Sequence, residues 1–369
     1  MVKNYLKEKI VGCLLGGAVG DALGYPVEFY TSLLIHRKYG AQGIVRYQLA
    51  ENGVAQISDD TQMSLFTANG LLNAWTRNAG ALTLPVCLSA LTQAYIDWYD
   101  TQFPDFVQTA RPTCWLWEVK DLHALRAPGN TCMSALRSLA SDSTVRNDSK
   151  GCGGIMRVAP IALFAAVHPE DWDGAKVAKL AGEAARLTHL HKLGYLPAAL
   201  FAYLIYALLP MEQPTGEEVQ RLIREGNRVV REVYPGHDEA MDLLMNLLEE
   251  AVALAHSGLS DTEAYDVLGQ GWTAEETLAI AVYCLLKYEG DFEKAVVAAV
   301  NHDGDSDSTG AVAGNLAGAM LGLKAIPEYY KQDLELRSVI EEMGEDLCQT
   351  SQHELRTNES RWQQKYMEK

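Results

Sequence analysis

Between residues 303 and 309 the chain carries three carboxylates and three hydroxyls, in the run Asn301-His302-Asp303-Gly304-Asp305-Ser306-Asp307-Ser308-Thr309-Gly310. Hard divalent cations take this mixture of charged and neutral oxygens as ligands, and such a set selects Mg2+, Mn2+ or Ca2+ over Zn2+. The plainer reading is an acidic helix start, since Ser or Asp makes a good N-cap and carboxylates are favourable there. One Asp would satisfy that need. Three crowded together repel one another, which points to a metal. An EF-hand does not fit. With Asp303, Asp305 and Asp307 as its first, third and fifth ligands it requires Gly at 308 and Glu at 314, where this chain has Ser308 and Gly314.

A second oxygen-rich start, Ile57-Ser58-Asp59-Asp60-Thr61-Gln62-Met63, lies far earlier. Ser58 suits an N-cap, and Met63, Phe66 and Leu71-Leu72 continue at helical spacing. If the two clusters face each other, they can hold two ions about 3.5–4 Å apart, as binuclear hydrolases do. Glu28 follows Pro26 on a loop, where a solvated carboxylate is the ordinary case. Ser149-Lys150-Gly151-Cys152-Gly153-Gly154-Ile155-Met156-Arg157 is a glycine-rich turn entering a helix. It offers bare backbone N–H groups to an anion, with Arg157 as added charge, or it is an ordinary loop. Thr188-His189-Leu190-His191 has no third metal ligand nearby, so its histidines read as structural or substrate-contacting.

Helices must position these groups. Glycines at 12, 16, 20 and 24, and again at 310, 314, 318 and 322, recur every four residues in apolar runs. Each costs a helix about 1 kcal/mol relative to Ala. Four-residue spacing clears one helix face and lets backbones approach, so the expectation is two central, tightly packed helices, packed against each other. Apolar periodicity predicts further helices over 84–100, 130–139, 174–188, 193–209, 216–234, 238–256, 271–287, 291–301 and 332–348. Residues 101–129, with Pro104, Pro112 and Pro128, read as a long loop. No β-branched alternation recurs, so the fold class is all-α. One domain is expected over 1–348, followed by a polar C-terminal tail over 349–369.

The 369 residues are 48% hydrophobic and 21% charged, the make-up of an ordinary globular protein, and carry a net charge of −17. That charge repels phosphate backbones, so nucleic acid is not an expected partner. The seven cysteines are odd in number and contain no CxxC pair, which leaves no zinc site or disulfide framework and makes a reducing compartment the default. The charged start through Lys9 and the glycine-broken run after it do not read as a signal peptide. No apolar stretch was long enough to suggest a membrane span. A cytoplasmic monomer is the expectation.

Gly16-Gly17-Ala18-Val19-Gly20-Asp21-Ala22-Leu23-Gly24, Ser58-Asp59-Asp60-Thr61, Gly151 to Pro160, Thr188-His189, Gly271-Trp272 and Gly304-Asp305-Ser306-Asp307-Ser308 stand in an order that resembles the ADP-ribosylglycohydrolase family. The resemblance covers most of the chain. It implies a compact orthogonal helical bundle with a binuclear Mg2+ or Mn2+ cleft. Ser58, Asp59 and Asp60 would bind one ion and Asp305, Asp307 and Ser308 the other, with Asp307 shared. It implies Asp60, Glu28 and Asp305 as catalytic groups. Ser149, Gly151, Cys152, Gly153, Gly154 and His189 would contact the substrate diphosphate, and Trp272 would form a wall. Two departures stand out. Asp303 precedes Gly304 where the family motif has Gly-Gly, and Ser308 replaces the usual Thr. The second, with Asp148-Ser149-Lys150-Gly151-Cys152-Gly153, resembles the arginine-directed branch. The substrate implied is therefore ADP-ribosylarginine on a modified protein, with free ADP-ribose as product. Serine-linked or small-molecule ADP-ribose, including its O-acyl ester, is the alternative, and a non-enzymatic member of the fold a third.

Overall fold

The computed structural model describes residues 4–103, 112–352 and 360–367. Its helices are, in order, α1 (Asn4–Gly24), α2 (Ser32–Tyr39), α3 (Asp59–Arg77), α4 (Leu84–Thr101), α5 (Asn130–Ala140), α6 (Ala159–Val167), α7 (Gly174–Arg186) and α8 (Lys192–Leu208). There follow α9 (Gly216–Val233), α10 (Asp238–Ala255), α11 (Asp261–Leu268), α12 (Ala274–Lys287), α13 (Phe292–Val300), α14 (Ser306–Leu321), α15 (Glu328–Gln332), α16 (Arg337–Gln349) and α17 (Ser360–Tyr366). Two isolated bridges, Ala55 to Leu334 and Gly151 to Thr273, are the nearest approach to a sheet among the described residues. The fold is all-α.

At its centre α1 and α14 run antiparallel with their glycines face to face. A Cβ added to Gly16 would lie 2.4 Å from the carbonyl oxygen of Gly314, and one on Gly314 would lie 2.0 Å from that of Gly16. Gly20 meets Gly310, Gly12 meets Gly318, and Gly24 meets the Ser306 carbonyl in the same way. The expected close approach of the two glycine helices is therefore present. Asn315 locks the register by donating from Nδ2 to the Cys13 carbonyl at 2.7 Å. The run Asn4–Val27 is also long and apolar enough to span a bilayer, with a mean hydropathy of 1.5, which the sequence reading did not allow for; 89% of it is buried inside the protein. Its glycines serve another helix.

Several boundaries differ from expectation. Helices α2, α11 and α15 are short and carry too few apolar repeats to announce themselves. Of the long loop expected over 101–129, residues 104–111 lie outside the described residues, and the rest holds two short 3-10 turns at Trp115–Glu118 and Lys120–Leu122. Within the polar tail, α17 is docked: Trp362 and Tyr366, one turn apart, are buried, and Trp362 Nε1 donates to Thr76 Oγ1 at 3.0 Å. Two aromatics on one face suffice to anchor an otherwise polar helix.

The seam makes a direct prediction. Alanine ordinarily stabilises a helix relative to glycine, but at Gly16 or Gly314 its methyl group would strike backbone. Gly16→Ala and Gly314→Ala are each expected to destabilise the protein by about 3 kcal/mol or more, read from urea unfolding. A neutral or stabilising result would contradict the packing described.

Candidate active site

The antiparallel seam carries the C-terminal end of α1 to the N-terminal end of α14, where the second acidic cluster begins. Asp305 is the N-cap of α14 and accepts a hydrogen bond from the Ser308 amide at 3.3 Å. Gly304 just before it has φ +118, and a Cβ there would lie 2.2 Å from the Gln270 carbonyl oxygen, so only glycine fits. The first cluster opens α3, with Ser58 as N-cap accepting from the Asp60 amide at 3.2 Å. Ser58, Asp59, Asp60, Asp305, Asp307 and Ser308 are all buried.

The two starts converge at the end of α1, where Asp21 bonds the Ser58 amide and Gly24 packs on the Ser306 carbonyl, and the acids act on one another accordingly. Burial pushes the Asp59 and Asp60 carboxyls well above the usual carboxylate range, and Asp21 and Asp305 push the same way. Asp307 is raised by burial first, then by Asp305, Asp60 and Glu28. Glu28 is raised to about 9 by burial and then by Asp305, Asp59 and Asp21. It is half-buried and belongs to the cluster, where the sequence alone suggested a solvated loop carboxylate.

Asp21 is absent from the sequence-based set, yet it organises the site. Its carboxylate accepts from the Ser58 amide at 2.9 Å, from the Thr61 amide at 3.1 Å and from the Thr61 hydroxyl. It thereby fixes the start of α3 to the end of α1. These bonds oppose burial, which leaves Asp21 raised to about 6. Its signal in the sequence is the lone acid in the apolar Gly16–Gly24 run.

The loop after α1 also reaches the start of α14. It carries Glu28 and then Phe29, whose amide donates to the Gly304 carbonyl at 3.3 Å. Phe29 stacks on Trp272 with ring centroids 5.4 Å apart and planes 24° apart. Trp272 thus lies beside the Glu28 loop and the segment leading into α14. On the other side the Cys152 amide donates to the Trp272 carbonyl at 3.2 Å, and the Cys152 thiol donates to Asp305 Oδ2 at 2.9 Å. The larger cavities lie elsewhere, one of about 730 Å³ beside Trp75 and His168 and one of about 980 Å³ beside Arg77 and Thr113.

The glycine turn is only partly as expected. Gly151 and Gly153 pack on the His189 ring, at 3.4 and 3.0 Å from an added Cβ, and this is where His189 meets the turn. Ser149 Oγ is engaged with Thr131 Oγ1 at 3.1 Å and with the Gly151 amide at 3.3 Å. Two of the turn's amides, those of Gly151 and Cys152, are thus already used within the protein. Gly154 is buried against the Gly194 carbonyl oxygen and Ala185. Arg157 does not add charge to an anion site: it is fully buried, donating to the Ala184 carbonyl at 3.1 Å and to Thr188 Oγ1 at 2.6 Å, with its guanidinium over the Tyr95 ring. Behind the turn, burial and then the Arg157 charge lower His189 to about 3, which keeps the ring neutral at physiological pH.

The carboxylates fit divalent cations. Asp60 Oδ2 is buried with no hydrogen-bond partner. Among the described residues, no lysine or arginine is among the strongest influences on Glu28, Asp59, Asp60 or Asp307. Buried carboxylates without a counter-charge are costly by several kcal/mol each, and they either hold protons or bind cations. Among the described residues the group of three ligand atoms within 4.8 Å of one another is His168, Glu170 and Asp171, remote from this cluster. The acids of the two helix starts do not form so tight a group.

An all-α bundle in which two acidic helix starts meet in a buried, cation-suited cluster is the class this architecture defines. The sequence profile of the ADP-ribosylglycohydrolases matches residues 2–356, and the chain belongs to that family of hydrolases, whose members are generally metal-dependent. The chain is 26% identical over 344 residues to the ADP-ribosyl-[dinitrogen reductase] glycohydrolase of Rhodospirillum rubrum, covering 89% of this chain and 91% of that protein. It is 28% identical over 205 residues to human ADP-ribosylhydrolase ARH3, covering 51% of this chain and 54% of that one. A solved structure titled ADP-ribosylglycohydrolase-related protein complex superposes with a TM-score of 0.64 at 24% identity, over 95% of this chain and all of that one, which supports the fold.

The raised carboxyls predict an unusual pH response for metal-stripped protein. Glu28 binds its proton more tightly in the folded state (about 9) than its ordinary 4.5, so the folded state holds more protons across that interval and loses stability as pH rises through it. The melting temperature of metal-free protein should fall between pH 5 and pH 9, by scanning calorimetry, and excess Mn2+ at the upper end should restore it. A melting temperature that rises with pH without metal would contradict the crowding.

Proposed function

We propose that the chain is a Mg2+- or Mn2+-dependent hydrolase that cleaves the N-glycosidic bond between ADP-ribose and arginine on modified proteins. The observation that carries this is the meeting of the two acidic helix starts with a buried, unpartnered Asp60 oxygen between them. The arginine preference is supported by the Rhodospirillum relative, named for dinitrogen reductase, and by the Asp307-Ser308 variant. Likeness to ARH3 keeps a second reading open, with serine-linked or small-molecule ADP-ribose as substrate.

Ser58, Asp59 and Asp60 would hold one cation and Asp305, Asp307 and Ser308 the other. Bound there, such cations supply a water acidified from about 15.7 toward about 7 and orient the ribose hydroxyls. The protein's own groups do the rest. Guanidine is a poor leaving group as an anion, so a carboxyl must deliver or retain its proton, and general acid catalysis of this kind supplies about 10²–10⁴ in rate. Glu28, held in protonated form beside the cluster, suits that task, and Asp60 is the other candidate. Asp305 is fixed by its amide, which donates to the Gln270 carbonyl at 2.9 Å, and by the Cys152 thiol. Trp272 and Phe29, stacked beside the start of α14, offer an exposed aromatic surface to a ribose or acceptor group. The neutral His189 ring and the turn from Gly151 to Gly153 are the groups nearest the cluster that could meet the diphosphate.

The test is release of free ADP-ribose from an arginine-ADP-ribosylated protein. Activity should require Mg2+ or Mn2+, and Asp59→Ala and Asp307→Ala should each lower kcat/KM by more than about 100-fold, beyond the loss expected for an outer-shell partner. Parallel assays on serine-linked and O-acyl ADP-ribose decide the acceptor. Faster turnover of either would overturn the arginine assignment, and full activity in chelator would overturn the metal-dependent reading.

A further inference from the structure

Asp303 stands where the resembled motif has glycine, and its carboxylate is engaged with the backbone at the start of α2. Its Oδ1 accepts the backbone N–H of Ser32 at 2.5 Å. Ser32 is the first residue of α2, whose only buried residue is Ile35, so little core holds this helix in place. Three residues separate Ser32 from Glu28. The first of them, Phe29, has φ +67, a left-handed conformation that an aromatic residue keeps only when its surroundings impose it. Gly304 accepts the Phe29 amide at one end of this turn, and Asp303 accepts the Ser32 amide at the other. The Gly304 bond is long at 3.3 Å; the bond to the Asp303 carboxylate is short and charge-assisted, hence the stronger of the two. Asp303 is also absent from the charges that act most strongly on Glu28, Asp59, Asp60 and Asp307.

We propose that Asp303 is a positioning residue: by holding the start of α2 it fixes the strained turn that keeps Glu28 over the acid cluster. The adjacent pair Asp303-Gly304 thus grips both ends of the loop from the same segment that supplies Asp305 and Asp307. The catalytic consequence rests on the reading of Glu28 given above; the tether itself does not.

Hydrogen exchange followed by mass spectrometry tests the tether without any substrate. In full-length Asp303→Gly, peptides spanning 25–39 should exchange at least about tenfold faster, as expected when a charged hydrogen bond is lost. Asp303→Asn keeps an oxygen acceptor and should restore most of the protection. On substrate, Asp303→Gly should lower kcat with KM little changed, and adding it to Glu28→Gln should cause no further loss, because both act through one group. Unchanged exchange in Asp303→Gly overturns the proposal, as does unchanged exchange with weakened Mn2+ binding, which would make Asp303 a cation ligand. If no variant or wild type hydrolyses any ADP-ribosyl substrate while exchange responds as described, the functional reading falls and the tether stands.

Discussion

The approach of α1 and α14, backbone against backbone, is the constraint on which the rest of the structure depends. Four glycines on α1 meet three glycines and the Ser306 backbone on α14, and the pairing leaves no room for a single methyl group. Because the helices are antiparallel, the same contact that builds the core brings Asp21 and the Glu28 loop to Asp305 and Asp307. Asp21 then reaches from the end of α1 to the start of α3 and adds Asp59 and Asp60 to the group. Residues far apart in the chain become neighbours through one seam and one carboxylate.

That assembly concentrates negative charge in a buried place. Both α3 and α14 direct their N-termini at it, and the positive ends of the helix dipoles offset part of the repulsion. They cannot offset all of it, as the raised carboxyls and the orphaned Asp60 oxygen show. A buried donor set of this kind, with no lysine or arginine of the described residues among the strongest influences on its acids, is suited to divalent cations. Around it the protein arranges neutral groups, the His189 ring, a thiol on Asp305 and the Phe29–Trp272 pair, while the Arg157 charge is turned inward to Thr188.

Much of this was legible in the sequence. The two acidic starts announced themselves by carrying more carboxylates than any helix cap needs, and the glycines by their four-residue spacing. What was not legible depended on tertiary contact. Glu28 read as an ordinary loop acid because its burial comes from chain elements distant in sequence. Asp21 was not singled out within the run quoted for the resemblance, although an acid inside a glycine-rich apolar run is a signal in its own right. Arg157 looked available to a phosphate since a glycine turn precedes it, yet its side chain turns inward to Thr188. The tail looked free because two anchoring aromatics, Trp362 and Tyr366, are few against a polar background.

Electron paramagnetic resonance of metal-stripped protein reloaded with Mn2+ tests the central claim most directly. Two clusters enclosing one cleft predict an exchange-coupled pair, with ions about 3.5–4 Å apart. Spectra of isolated, uncoupled Mn2+, or of no bound Mn2+ at all, would contradict the account.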